Sequence, residues 1–356
     1  MTRRGKDAQA GGSGFHIERD LLCTVNADGY FTSLNSGWER ILGWTREELM
    51  SRPVLDFVHP SDRERTVAEL SHVERPDYEV VNFENRYRAR GGGWRWLRWS
   101  ARADGERWFA VAFDVTDEKE TEARLRGLLT DEHLLAYSQP IIDQTGEIVQ
   151  EELLVRMRAS SGTERVLAPS DFLPDAERTG LIGLIDRWMA AHAVALSRQG
   201  RRAEVNLSPL SLGDDEFTGR LEQWIDRAEV NPSNLVFEIT ETAALEQLDL
   251  AVDFAERLTR LGCQFALDDF GTGFGSLTHL RLLPVRYLKI DTSFVSDAAS
   301  SLEDQAMLRG IVAIARELGV LTVAEGIEDA PTLDLVTEIG VDYAQGFHIG
   351  RPAPVG

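Results

Sequence analysis

Cysteine is almost absent from this chain. Only Cys23 and Cys263 occur among 356 residues, each inside an apolar, strand-like run. Neither a disulfide framework nor a cysteine-ligated metal site is therefore expected, and a reducing cytoplasm fits. Long apolar runs are missing too: none approaches the roughly 20 residues that a membrane-spanning helix needs. Basic charge is in short supply. Against 59 Asp and Glu stand 38 Lys and Arg, a net charge of −21, which argues against a nucleic-acid polymer or an acidic membrane surface as partner, because both attract cationic faces. The shortage is uneven, since residues 1–125 hold 22 acidic and 19 basic side chains and the acidic excess lies in the remainder. No clustered pair of histidines suggests zinc. No glycine-rich dinucleotide fingerprint is present either.

What is present suits two domains, or one large barrel with an appendage. Met1 to Gly14 is polar and glycine-rich, so residues 1–16 are expected to be a disordered leader. From residue 17 to 116, short strands, small helices and longer strands follow one another. Leu21 to Val25 and Tyr30 to Leu34 flank Ala27-Asp28-Gly29, a hairpin signal. A short helix is expected around Gly37 to Leu42, and Thr45 and Glu48 have capping-box spacing. Tyr78 to Ala89, Trp94 to Ala101 and Trp108 to Asp114 read as strands, with Gly91-Gly92-Gly93 turning between the first two. The expected unit is an α+β domain, a small antiparallel sheet with helices on one face.

That order, with Asn26-Ala27-Asp28-Gly29, Asn35, Trp38, Leu42-Gly43-Trp44, Phe57-Val58-His59-Pro60 and Asp114-Val115-Thr116-Asp117, resembles a PAS sensor domain over residues 17–116. The PAS ligand stays unknown from these motifs. The flavin-adduct cysteine motif of photosensing PAS domains is absent, His59 reads as a turn or helix-start residue, and His72 as a solvated helical histidine. Residues 117–131 are rich in helix formers, with Glu and Lys or Arg at supporting spacings, and read as a linker helix. Its narrow stripe of Leu125, Leu128 and Leu129 suits either pairing with a second copy or docking on a domain of the same chain.

From 132 to 356 the texture becomes a repeated alternation. Strands are expected at Leu135 to Ile142, Ile148 to Arg156, Ala203 to Leu207, Leu235 to Ile239, Cys263 to Asp268, Tyr287 to Ile290, Leu321 to Ala324 and Asp342 to Phe347. Helical stretches such as Leu181 to Ser197, Ala243 to Leu261 and Glu303 to Leu318 separate most of them, which points to a TIM-like (β/α)8 barrel, with an open doubly wound sheet as the alternative. Barrel sites lie at the C-terminal ends of the strands. Those ends carry Glu152 and Arg156, Asn206, Glu238 and Glu241, Asp268 and Asp269, Lys289, Glu325 and Gln345. One such residue would ordinarily be a cap or a solvated end, but nearly every strand delivers one. Asp268 and Asp269 leave an apolar run side by side, where they repel each other unless a cation neutralises them. Carboxylates with an amide oxygen are hard ligands suited to Mg²⁺ or Mn²⁺, and adjacent aspartates can place one carboxylate between two ions, as in-line displacement at phosphorus requires. Arg156 and Lys289 supply the positive charge that a phosphate attracts.

Tyr137-Ser138-Gln139-Pro140-Ile141, Glu152-Leu153-Leu154-Val155-Arg156, Val205-Asn206-Leu207-Ser208, Glu238-Ile239-Thr240-Glu241, Asp268-Asp269-Phe270-Gly271-Thr272-Gly273, Leu288-Lys289-Ile290-Asp291, Ala324-Glu325-Gly326 and Gln345-Gly346-Phe347 resemble the ordered motif series of EAL-family cyclic di-GMP phosphodiesterases. The resemblance implies a modified barrel with an antiparallel first strand over 132–356, and hydrolysis of cyclic di-GMP to linear pGpG with two Mg²⁺ or Mn²⁺ ions. It gives one ion to Glu152, Asn206, Glu238 and Asp268, and the second to Asp268 and Asp269, with Glu325 and Gln345 contributing directly or through water. Lys289 would orient or help deprotonate the attacking water, and Arg156 would grip a phosphate. Leu154, Gln139, Gln345 and Pro352 are implied substrate contacts, and Glu241 would tether the loop Phe270 to Ser276 from beneath. A homodimer through this domain and the PAS and linker helix is expected.

Three departures from the family pattern stand out. Leu153 replaces the signature alanine, its side chain expected to alternate away from the site. Met157 stands where an aromatic is usual. Phe274-Gly275 replaces the common Tyr-Ser, which makes that loop more mobile and bears on basal activity. No Gly-Gly-Asp-Glu-Phe type of cyclase motif occurs. The alternative function is a non-catalytic cyclic di-GMP receptor, although no ligand position is lost. An unrelated carboxylate-rich barrel of the enolase type would not explain the ordered motifs.

Overall fold

The computed structural model describes residues 20–130, 132–159, 165–227, 230–271 and 282–355. The expected leader lies outside them, as do the loop residues Thr272 to Ser276 with the Phe274-Gly275 departure. The chain divides into two compact units between Ala123 and Arg124. Among the described residues no helix is long and apolar enough to cross a membrane.

In the first unit, β1 (Leu21–Asn26) buries Leu21, Cys23 and Val25 on one face, the period of two expected of a half-buried strand. It joins β2 (Phe31–Leu34), β3 (Glu79–Arg88), β4 (Trp94–Ala103) and β5 (Arg107–Asp114) in an antiparallel sheet of order β2-β1-β5-β4-β3. Helices between β2 and β3 contribute to the same core. Trp38, on the helix Gly37–Leu42, is fully buried and meets Phe31, Tyr87 and Trp99 with ring centroids 5.0, 6.1 and 5.7 Å away. Trp99 Nε1 donates to Asn85 Oδ1 (2.8 Å) and Asn85 Nδ2 to Thr66 Oγ1 (3.0 Å), so the buried polar groups are satisfied. Tyr87 and Trp99, with Phe83 and Trp108, line a small cavity of about 60 Å³. Ligand pockets usually run to roughly 300–1,000 Å³. The Thr45–Glu48 capping box forms in both directions, and His59 Nδ1 accepts from Ser61 N at a helix start.

The linker is the helix Thr116–Leu128. Its first half is tied within the first unit, Glu118 to Arg98 and Lys119 to Glu84, both at 2.7 Å. In its second half Leu125 is buried in the core of the second unit, with Leu128 and Leu129 packed on that core. The apolar stripe thus docks on its own chain.

The second unit contains β6 (Leu134–Asp143), β7 (Ile148–Arg158), β8 (Val166–Leu167), β9 (Ala203–Asn206), β10 (Leu235–Thr240), β11 (Gln264–Phe270), β12 (Tyr287–Ile290), β13 (Leu321–Ala324), β14 (Tyr343–Gln345) and β15 (Ala353–Pro354). From β7 through β9 to β14 neighbouring strands run parallel; β6 lies antiparallel to both β7 and β14 and closes the barrel. The short β8 and β15 have no signal in the sequence. Where one helix is expected over Ala243 to Leu261, there are two, Glu241–Glu246 and Leu248–Arg260, separated by Gln247 at φ −137° and ψ 47°. The buried residues keep their helical spacing across that break, and neither glycine nor proline marks it.

Strand periodicity positions the site. Val236, Ala266, Tyr287 and Val323 form an apolar layer inside the barrel with Ile141. Two residues further along the same strands, on the same face, stand Glu238, Asp268, Lys289 and Glu325. The last strand ends at Gln345 rather than Phe347 because the backbone of Ile327 closes on the next residue: Ile327 N donates to Gln345 O, and a Cβ on Gly346 would lie 2.2 Å from Ile327 N and O. Gly346→Ala is expected to destabilise the protein by about 1–3 kcal/mol, whereas Gly127→Ala, in open space on the linker helix, is expected to be neutral or slightly stabilising. Thermal melts of the two variants check this, and equal melting points would contradict it.

Candidate active site

Lys289 is 1% exposed, and its Nζ lies 2.7 Å from Glu238 Oε1 and Glu325 Oε1 and 3.7 Å from Glu152 Oε2 and Asp268 Oδ1. Four carboxylates, three on or just beyond β10, β11 and β13 and one in the middle of β7, thus share one ammonium. Glu152 is further held by two amides: Asn206 Nδ2 donates to Oε1 (2.8 Å) and Gln345 Nε2 to Oε2 (2.6 Å). Gln345 also approaches Gln139 Oε1 (3.4 Å), and Gln139 Nε2 donates to Gly350 O (2.9 Å).

Adjacent strand residues normally face opposite ways. At Asp268 and Asp269 the pairing of β11 with β12 shifts register, and Asp269 takes a left-handed backbone (φ 55°). Such a conformation costs a non-glycine residue about 1 kcal/mol or more and is found where function demands it. The outcome is that one oxygen each from Asp268, Asp269 and Glu325 lie within 4.8 Å of one another. Beneath them the buried Glu241 accepts Gly271 N at its Oε2 (3.0 Å). Gly271 is confined to glycine twice over, by φ 105° and by the Phe294 ring 2.6 Å from where a Cβ would be.

Three buried oxygens at this mouth, Glu238 Oε2, Asp268 Oδ1 and Gln345 Oε1, have no hydrogen-bond partner among the described residues. Buried acceptors are rarely left so. An all-oxygen donor set with orphaned acceptors fits a hard divalent cation such as Mg²⁺ or Mn²⁺.

The other candidate residues are placed differently. Leu154 lines a cleft of about 640 Å³ together with Glu152, Asn206 and Asp268. Leu153 and Met157 instead join the core outside the barrel. Arg156 is half-buried, its guanidinium 5.5 Å from the Tyr137 ring and its Nη1 donating to Val155 O (2.8 Å). Gln139 is only 7% exposed, and Pro352 is half-buried just beyond Gly350. Sequence reasoning missed Gln150, Glu204 and Asp186. Gln150 Nε2 donates to the fully buried Glu204 Oε2 (2.7 Å), a second storey under the Asn206–Glu152 bond. For Gln150 and Glu204 the signal was spacing, since each lies two residues before a rim residue on the same strand; Asp186, on the helix Ile182–Ser197, carries no such signal.

Burial sets the protonation pattern. It pushes Glu325 up to about 8, against the pull of Lys289 and with Asp268 and Glu152 adding to it. Burial, then Asp268, likewise holds Glu238 well above the ordinary carboxylate range. For Asp268 burial also raises, but Lys289 and hydrogen bonds outweigh it and the net shift is downward. For Lys289 burial would lower, yet the surrounding carboxylates keep the ammonium well above lysine's ordinary range. Below about pH 8, therefore, a divalent cation must displace the proton on Glu325. Glu238 is held protonated as well, so Mn²⁺ affinity measured by calorimetry is expected to rise between pH 6 and 8, by at most about tenfold per pH unit for each proton displaced. A pH-independent affinity between pH 6 and 8 would contradict it.

Residues 122–352 match the EAL domain family model, and residues 31–112 match a PAS fold model. Over 248 residues the chain is 33% identical to cyclic di-GMP phosphodiesterase PdeF of Escherichia coli, covering 68% of this chain and 33% of PdeF. Over 244 residues it is 36% identical to cyclic di-GMP phosphodiesterase PdeB of Shewanella oneidensis, covering 65% of this chain and 28% of PdeB. The chain thus spans about a third of the length of these curated relatives. Among solved structures, the FimX EAL domain from Pseudomonas aeruginosa bound to c-di-GMP is 30% identical with a TM-score of 0.62, over 66% of this chain and 96% of that one. The chain belongs to the EAL domain family and carries a PAS fold ahead of its barrel.

Proposed function

We propose that this chain hydrolyses one phosphodiester bond of cyclic di-GMP to give linear pGpG, at a rate set by its PAS domain. The observation that carries this reading is the cluster of carboxylates around Lys289, in which Glu238 Oε2 and Asp268 Oδ1 have no hydrogen-bond partner among the described residues. Its two named phosphodiesterase relatives match 68% and 65% of the chain. Glu152, Asn206, Glu238 and Asp268 would hold one Mg²⁺ or Mn²⁺ ion, and Asp268 and Asp269 a second, with Glu325 and Gln345 alongside. Bound there, such ions acidify water and stabilise charge developing on phosphoryl oxygens.

The chain's own groups do the rest. Lys289 Nζ, a fixed donor between Glu238 and Glu325, orients the attacking water by donating a hydrogen bond to it. The water oxygen bonds to phosphorus as the P–O3′ bond breaks, leaving a 3′-hydroxyl and a 5′-phosphate. Arg156, stacked by Tyr137, offers its guanidinium to a phosphate. Leu154 and the cleft wall receive a guanine face, with Pro352 a further contact. Gln139 steadies Gln345, which in turn steadies Glu152. Glu241 holds Gly271 and so keeps Asp269 in its left-handed conformation.

Incubation with cyclic di-GMP and Mg²⁺ or Mn²⁺ is expected to yield pGpG, detected by chromatography, with Glu152→Ala reducing the rate by about 100-fold or more. Tight binding without turnover in saturating metal would replace the enzyme by a receptor for the same dinucleotide.

A further inference from the structure

The helix Ile182–Ser197 buries an apolar face of Ile182, Ile185, Met189, Ala190 and Ala193, and in the middle of that face sits Asp186, 4% exposed. Among the described residues Asp186 makes no ion pair. Its Oδ2 instead gathers three donors: Ser208 N (2.9 Å), Ser208 Oγ (2.6 Å) and Ser211 Oγ (2.6 Å). Burying an unpaired carboxylate is expensive even when hydrogen-bonded. A packed helix face would be served better by an apolar residue there, so the acid is retained for what it holds.

What it holds is the turn that follows Asn206. Ser208 is two residues beyond Asn206, whose Nδ2 donates to Glu152 Oε1 at the rim, and Leu207 N donates to Glu238 O (2.9 Å). The next residue on the helix, Arg187, pairs with Asp214, whose Oδ1 accepts Phe217 N (2.9 Å). Two consecutive helix residues therefore fasten both ends of the segment Ser208 to Asp214. Ser208, Pro209 and Leu210 of that segment line the 640 Å³ cleft beside Glu152 and Asn206.

We propose that Asp186 is a positioning residue: through Ser208 and Ser211 it fixes the end of β9, so that Asn206 presents its amide to the cation site and the segment after it forms the cleft wall. The inference rests on the reading of Asn206 as a metal ligand. Groups of this kind, which orient a ligand without touching the metal, commonly carry about 10- to 100-fold in metal affinity or activity.

The test uses the full chain and Mn²⁺ as the probe, with binding measured by calorimetry and each variant's melting point recorded. Asp186→Ala removes the acceptor. Ser208→Ala combined with Ser211→Ala removes two donors and leaves no buried acid without its main-chain partner. Both are expected to weaken Mn²⁺ binding by about 10- to 100-fold, and Asp186→Asn, which keeps an acceptor oxygen, should recover part of the loss. Wild-type Mn²⁺ affinity in folded Asp186→Ala, or Asp186→Asn no better than Asp186→Ala, would overturn the proposal. Should Asp186→Ala fail to fold, the double serine variant decides on the same criterion. Because the readout is Mn²⁺ binding, a wild-type protein that binds Mn²⁺ without hydrolysing cyclic di-GMP overturns the proposed function alone.

Discussion

One buried ammonium sits at the centre of the barrel mouth. Lys289 Nζ touches Glu238 and Glu325 and lies within 3.7 Å of Glu152 and Asp268. Each buried ion forfeits several kcal/mol of hydration, so four acids around one base leave an excess of negative charge that only protons or further cations can balance. Burial answers with protons on some acids, as the upward shifts of Glu238 and Glu325 express. Divalent cations answer it otherwise, and the orphaned oxygens are the places where they would bind.

The backbone makes this crowding possible. Period-two alternation stacks the charged rim on the apolar layer of Val236, Ala266, Tyr287 and Val323, so the acids rest on a floor that excludes water. A register shift at Asp268 and Asp269 then brings two neighbouring carboxylates to one side. Glu241 from below and Asp186 from the flank hold the turns that carry Asp269 and Asn206. Both candidate ligands thus sit on turns tied by a neighbouring buried carboxyl group.

Most of this rim was legible in the sequence because strand alternation and strand ends are local features. An acid closing an apolar run, as at Glu238 or Asp268, announces itself. The antiparallel first strand came with the family resemblance, since no local signal distinguishes Leu134–Asp143 from a parallel strand. Tertiary contacts hid the rest. The left-handed Asp269 depends on the shifted pairing with β12, the break at Gln247 lies inside an unbroken apolar period, and Asp186 gains meaning only from serines more than twenty residues away. In the first unit the strands and Trp38 were readable, but the small cavity depends on how Phe83, Tyr87, Trp99 and Trp108 come together from three different strands.

The dependence of the mouth on Lys289 is tested most directly by the stability of Lys289→Met with and without Mn²⁺. In metal-free buffer the variant is predicted to lose about 3–5 kcal/mol, the usual cost of stripping one partner from a buried ion pair. Saturating Mn²⁺ should restore much of that loss. A variant as stable as the wild type without metal would contradict the account.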